Sequence, residues 1–144
     1  MHMSIRFAAA AATLVLACGG GQSEANAPHP ADQVAWGQQL YGKECASCHG
    51  DSGEGGKGMH APAVVGKNAL PLDPPAGSKY RKNQFHTAQD VYDFVKKTMP
   101  PDKPGSLTDE QYDAIIAFDL KANGVDMTGK KVDSTTLPTF VLHP

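Results

Sequence analysis

Glu44-Cys45-Ala46-Ser47-Cys48-His49-Gly50 is the stretch on which the reading of this chain turns. Two thiols three residues apart, with a histidine directly after the second, make the C-x-x-C-H spacing of covalent haem attachment. On one turn of chain each thiol can add to a vinyl group of a haem, and His49 then lies beneath the iron and offers it a ring nitrogen. Two other chemistries use paired cysteines. A zinc site needs four ligands, normally from a second C-x-x-C or a histidine pair, and the only further cysteine is Cys18, near the N-terminus. A thioredoxin-like redox pair follows a strand, whereas this one ends a helix-patterned segment and carries the extra His49. The motif occurs once and no internal repeat accompanies it, so one haem c is expected.

Upstream of the motif, Asp32 is a candidate N-cap for a helix running to about Cys45. Val34, Gly37, Leu40, Tyr41 and Glu44 share one face, and Gly37 would let another helix approach closely. Downstream, a second helix begins at Thr87 with Asp90 three residues on. It places Val91, Phe94, Val95 and Thr98 on a buried stripe and ends at Pro100-Pro101. The third helix follows Thr108, which with Gln111 forms a capping box, while Leu107 and Tyr112 are spaced as a hydrophobic staple. Tyr112, Ile115, Ile116 and Leu120 line its inner face with Phe118 beside them. Asn123-Gly124 closes it with residues that tolerate a left-handed conformation.

Residues 50–86 contain repeated Gly and Pro and no sustained period. A stretch of that length without elements of its own suits a segment that wraps a cofactor. No run alternates with period two for long enough to predict a sheet.

Iron held by His49 needs a second axial ligand, and methionine is common in that place in electron carriers. Met99 is the choice here, because Pro100 biases it away from helical geometry and frees its thioether to leave the helix path. Met59, ten residues after His49 among glycines, and Met127, beyond the last helix, are the alternatives. His60 and His86 could each supply a second histidine, though His86 reads better as the residue before the Thr87 cap.

The two ends of the chain read differently from its middle. Arg6 precedes an apolar run over residues 7–17, which fits a secretory signal and is too short to span a bilayer. Val15-Leu16-Ala17-Cys18 resembles the lipobox of bacterial lipoproteins, whose cysteine becomes the lipidated first residue. Ala25-Asn26-Ala27 is the competing cleavage site. With lipid on Cys18 and haem on Cys45 and Cys48, no thiol of an exported protein is left over. The expected organisation is a signal peptide over 1–17, a flexible tether over 18–31, a folded domain over 32–124 and an extension over 125–144. The extension is expected to pack on the domain through Leu137, Phe140 and Val141.

The formal charge of −2, with no basic run longer than two or three residues, argues against nucleic-acid binding. Gly (15) and Pro (11) are frequent enough to predict short helices and long loops rather than a bundle.

From about residue 32 to 124 the chain resembles a class I cytochrome c. The matching pieces are Gly37-x-x-Leu40-Tyr41, Cys45-Ala46-Ser47-Cys48-His49-Gly50, Ala61-Pro62-Ala63-Val64-Val65-Gly66, Thr98-Met99-Pro100 and a C-terminal helix carrying Phe118. The resemblance implies an all-α fold, three main helices with long loops around one covalently bound haem. It implies that the Pro62 carbonyl accepts a hydrogen bond from His49 Nδ1, which orients the ring and raises its donor strength. It also implies that Gly37 and Tyr41 cross the C-terminal helix near Phe118. Residues 125–144 extend past the family's usual end and loosely resemble the tails of cytochrome subunits that serve periplasmic dehydrogenases.

The function expected on these grounds is single-electron transfer by iron in haem c, on the periplasmic side of a bacterial membrane and held there by a lipid anchor. Partners would be redox proteins: a dehydrogenase, a quinol-linked complex or an oxidase. Iron with two protein ligands has no open position for substrate, so the chain is expected not to be an enzyme. The alternative is a haem peroxidase or ligand-binding sensor in which Met99 dissociates. Lys43, Lys57, Lys67 and Lys79-Tyr80-Arg81-Lys82 could ring the haem edge as a docking surface, or simply be solvated.

Overall fold

The computed structural model describes residues 32–56, 58 and 61–143. Residues 1–31, with the signal, Cys18 and tether readings, lie outside that set, as do Lys57, Met59 and His60. The described residues form four α-helices: α1 (Gln33–Glu44), the single turn α2 (Ala46–His49), α3 (Ala88–Thr98) and α4 (Asp109–Ala122). A short 3-10 turn, Leu137–Thr139, follows in the tail. Among these residues no strand forms; the one sheet-like contact is an antiparallel bridge between Thr87 and Val141. No helix among them is long and apolar enough to cross a membrane. The fold is all-α among the described residues, as the resemblance to a class I cytochrome c implied.

Capping chemistry explains where the helices begin. Asp32 accepts hydrogen bonds from the backbone N–H groups of Val34 and Ala35, satisfying two of the orphan donors at the start of α1. Thr87 with Asp90, and Thr108 with Gln111, make reciprocal capping boxes at α3 and α4. The end of α4 differs from expectation. Gly124 alone takes the left-handed conformation, at φ 90°. Asn123 keeps φ at −87° and uses its side chain instead. Its Nδ2 donates to the Val64 carbonyl at 2.9 Å and its Oδ1 accepts from Gly66 N–H at 3.0 Å. A residue read as a helix stop therefore clamps the loop after the haem motif.

α1 and α4 form the main helix pair. Gly37 sits where a Cβ would stand 1.8 Å from the Ala114 carbonyl oxygen, so only glycine allows this approach. One turn further along each helix, the Tyr41 and Phe118 rings meet at 5.1 Å between centroids. Tyr41, Leu40, Ala46, Ala114 and Ile115 make one apolar cluster. The larger cluster joins α3 to α4 through Phe85, Ala88, Val91, Tyr92, Tyr112, Ile116 and Leu120.

Residues 125–143 run back over this larger cluster. Met127, Val132 and Leu137 are buried in it, and Gln33 ties Val132 by two 2.8 Å hydrogen bonds, one to its carbonyl and one from its N–H. Met127 is thus a packing residue. Phe140 is half-buried against the same cluster, but Val141 is 59% exposed. The bridge to Thr87 turns its side chain outward, and Leu142 packs inward in its place.

The loop over 61–86 is organised by Arg81, which the sequence placed among surface charges. It is buried, and its guanidinium donates to the carbonyls of Asn83 (3.0 Å), Pro71 (2.6 Å) and Leu72 while lying 3.5 Å over the Phe85 ring. Burial lowers its pKa from the usual arginine value. A planar fork reaching three carbonyls gives an element-free loop its internal order. Lys79 and Lys82 remain exposed on either side.

Candidate haem site

The end of α1 and the turn α2 set the geometry of the motif. Cys45 ends α1, its N–H bonded to the Tyr41 carbonyl at 2.9 Å, and serves as N-cap of α2. The N–H groups of Cys48 and His49 both bond the Cys45 carbonyl, at 3.1 and 3.0 Å. Both thiols are therefore carried by one turn, and neither is in a disulfide. Tyr41 holds the far end of this turn, its hydroxyl donating to the Gly50 carbonyl at 2.9 Å. Burial pushes the Tyr41 pKa above the ordinary phenol range.

His49 is oriented from across the loop. Its Nδ1 lies 2.8 Å from the Pro62 carbonyl oxygen, which leaves Nε2 as the nitrogen available to a metal. Gly55 makes that contact possible. Its N–H bonds the His49 carbonyl at 2.6 Å, and a Cβ there would stand 2.5 Å from Ala63 N and 2.9 Å from the Pro62 carbonyl carbon. The chain over 61–63 could not pass so close to any larger residue. Val64 and Val65 N–H then bond the Gly53 carbonyl at 2.8 and 3.0 Å, which closes the loop.

Met99 caps α3 in an extended conformation, φ −125° and ψ 147°, as Pro100 requires of the residue before it. It is half-buried, and its carbonyl accepts from the Tyr112 hydroxyl at 2.9 Å, which anchors the end of α3 to α4. The backbone of Met99 is thus fixed where α3 ends. His86 serves α3 as read, its N–H bonding the Asp90 carboxylate at 3.0 Å.

Whether these residues suit a haem can be judged from the donor set. Two unpaired thiols on one turn and a histidine whose other nitrogen is engaged are what covalent attachment and proximal ligation need. Gly58 passes so near Cys48 that a Cβ would stand 2.8 Å from its Sγ. Among the described residues no group of three or more His, Cys, Asp or Glu could hold a bare metal ion. Among the described residues the donor set fits a haem and supplies no four-ligand zinc site. Size does not mark this place: an open cleft of about 1100 Å³ lies elsewhere, between the starts of α1 and α4 and the tail, beside Trp36, Tyr92, Asp113 and Leu137.

One residue of this region is absent from the sequence reading. Asp119 on α4 is 6% exposed, and its Oδ1 is buried with no hydrogen-bond partner among the described residues. Burial pushes its pKa up to about 8. It also bears on the Cys45 thiol, which burial first, and then the charge of Asp119, push up to about 12. A signal was there to find. Asp119 falls seven residues after Tyr112, four after Ile115 and three after Ile116, an acid on an otherwise apolar stripe.

An all-α fold with this motif, a proline-oriented histidine and a methionine ending the next helix defines a c-type cytochrome. Over residues 32–118 the chain matches the family described as cytochrome c oxidase, cbb3-type, subunit III, and it belongs to that family. It is 34% identical over 103 residues to a thiosulfate dehydrogenase of Stutzerimonas stutzeri (strain A1501), an alignment covering 69% of this chain and 31% of that protein. It is also similar to a chain of the sulfane dehydrogenase SoxCD from Paracoccus pantotrophus, with a TM-score of 0.55 and 29% identity, covering 76% of this chain and 52% of that one. The chain thus spans about a third of the curated relative and about half of the solved one.

Proposed function

We propose that this chain is a single-electron carrier in which Cys45 and Cys48 hold one haem c by thioether bonds, with His49 and Met99 as the axial ligands of its iron. The observation that carries this reading is the turn Cys45 to His49 with both thiols free and His49 Nδ1 held by the Pro62 carbonyl. When bound, the haem supplies a one-electron iron couple. The protein's part is to fix the ligands and exclude water. Pro62 fixes the ring plane and tautomer of His49. Met99 supplies a thioether, which favours the reduced state, and its backbone is anchored by Tyr112. With both axial positions taken by side chains, the chain binds no substrate at iron and is not itself an enzyme.

The donor in this reading is a dehydrogenase, which the names of both relatives support. The acceptor is an oxidase or another respiratory complex. Lipid on Cys18 would hold the protein to the periplasmic side of a bacterial membrane, where tethering raises the effective concentration of partners.

The test is the intact mass of the denatured chain, produced in a host that attaches haem c. One covalently added haem, lost when Cys45 and Cys48 are both replaced by Ala, together with reversible one-electron voltammetry, is the expected result. A chain that matures without covalent haem would sink the proposal.

A further inference from the structure

The same site contains a group that electron transfer alone does not require. Asp119 is the charge that bears most on the Cys45 thiol, ahead of Glu44. Geometry agrees with this: the contacts Gly37 with Ala114 and Tyr41 with Phe118 advance together along α1 and α4, so the cysteine end of α1 lies beside the turn of α4 that carries Asp119. Asp119 also lines a narrow apolar crevice with Leu70, Ala88, Val91, Ile116, Leu120 and Leu142. It is a carboxyl set in apolar surroundings, at the thioether edge of the haem site.

Among the described residues none bonds its buried Oδ1. From α1 the titratable neighbours are Tyr41, whose hydroxyl already donates to the Gly50 carbonyl, and Cys45, which the proposed thioether uses. α3 offers Ala88 and Val91, and the tail offers Leu142. Lys67, three residues before Leu70, is exposed, while Arg81 and His143 are taken up by backbone carbonyls, Arg81 by that of Pro71 and His143 by that of Leu70 itself at 2.8 Å. A buried carboxylate without a partner is unfavourable, so the charge it bears follows whatever positive charge stands close by.

We propose that Asp119 is a redox-linked proton site, ionised when the iron is oxidised and protonated when it is reduced. The step balances simply. With haem bound, one electron delivered to the iron by the redox partner would be matched by one proton from solvent bonding to the Asp119 carboxylate, so the buried site would gain no net charge. Oxidation returns both. Loss of one positive charge beside the carboxyl raises its affinity for a proton, and by linkage the proton raises the affinity for the electron. This inference rests on the haem placement proposed above.

The test is the midpoint potential of the haem-loaded protein measured by voltammetry from about pH 5 to about pH 9, a range that brackets a raised carboxyl. The potential is expected to fall as pH rises, with a slope approaching about 59 mV per tenfold change in proton activity, the limit for one proton per electron. Asp119→Asn is expected to flatten that slope, and Asp119→Glu to retain it with a displaced pH window. A wild-type potential independent of pH, or a slope that survives in Asp119→Asn, would overturn the proposal. Should Asp119→Asn fail to fold, redox-difference infrared spectra of the wild type decide: a carboxylic-acid carbonyl band must appear on reduction, and its absence overturns the proposal. Failure of the haem placement itself would show separately, as a chain without covalent haem.

Discussion

The Cβ that Gly37 lacks would stand 1.8 Å from the carbonyl oxygen of Ala114. The obstacle is helix backbone, which cannot rotate aside as a side chain does, so α1 and α4 would have to separate. That would loosen the Tyr41 and Phe118 contact and the Cys45 end of α1 together. Gly37→Ala is expected to destabilise the protein by about 3 kcal/mol or more, at the upper end of overpacking costs. In a domain of this size that is a fall in Tm on the order of 15 °C by circular dichroism. An unchanged Tm would mean that the helix crossing is not held as described.

Gly55 should act on the iron without touching it. Alanine there would meet Ala63 N at 2.5 Å, at a φ of 79° that side chains rarely adopt, and would push the Pro62 carbonyl away from His49 Nδ1. A weaker hydrogen bond makes the imidazole a poorer donor and the oxidised state less favourable. Gly55→Ala is expected to raise the midpoint potential at fixed pH; a lowered potential would contradict the role given to Pro62.

Met99→Ala separates a carrier from a ligand-binding protein. The wild type is expected to give a low-spin ferric spectrum with the weak red band of sulfur bonded to iron, little changed by dilute cyanide or peroxide. The variant should become high-spin and bind cyanide readily. If the wild type already behaves like that variant, Met99 is not the ligand and the sensor or peroxidase reading takes precedence.

Asp113 predicts a pH dependence of stability. Its Oδ1 is buried without a hydrogen-bond partner among the described residues. Burial first, then the charges of Asp109, Asp133 and Glu110, raise its pKa to about 6. The folded state therefore retains this proton over an interval in which the unfolded chain has released it. The corresponding stabilisation is complete below about pH 4 and disappears as pH rises through about 6. Asp109, Asp126 and Asp133, whose values are lowered, act in the opposite sense, so the comparison must be with a variant. Asp113→Asn is expected to gain stability relative to wild type progressively between those two pH values, measured by urea unfolding. A difference that does not vary with pH would remove Asp113 from this account.

Much of the architecture was legible in short-range patterns. Asp32, Thr87 with Asp90, and Thr108 with Gln111 set the starts of α1, α3 and α4 because a cap is a contact between residues two to four apart. The C-x-x-C-H spacing and Met99-Pro100 were legible for the same reason: the turn over 45–49 and the extended backbone before a proline are local consequences of sequence. Asp119 interrupted the apolar stripe of α4 in plain view, yet a stripe shows only that a position faces inward. It does not show what lies across from it.

By itself, then, the sequence determined the helices, their caps, the pairing of two thiols with a histidine, and the family these define. Tertiary structure alone decided how distant segments use one another. It opened, at Gly55, the space through which the Pro62 carbonyl makes the contact with His49 that the family resemblance implied, and turned Asn123 from a helix stop into a clamp on Val64 and Gly66. It buried Arg81 under three carbonyls rather than on a basic rim, and closed Asp119 away from water beside Cys45. Each of these depends on which backbone or charge a side chain meets across many residues of chain. Local propensity holds no information about that, because burial and partner arise only when the helices pack.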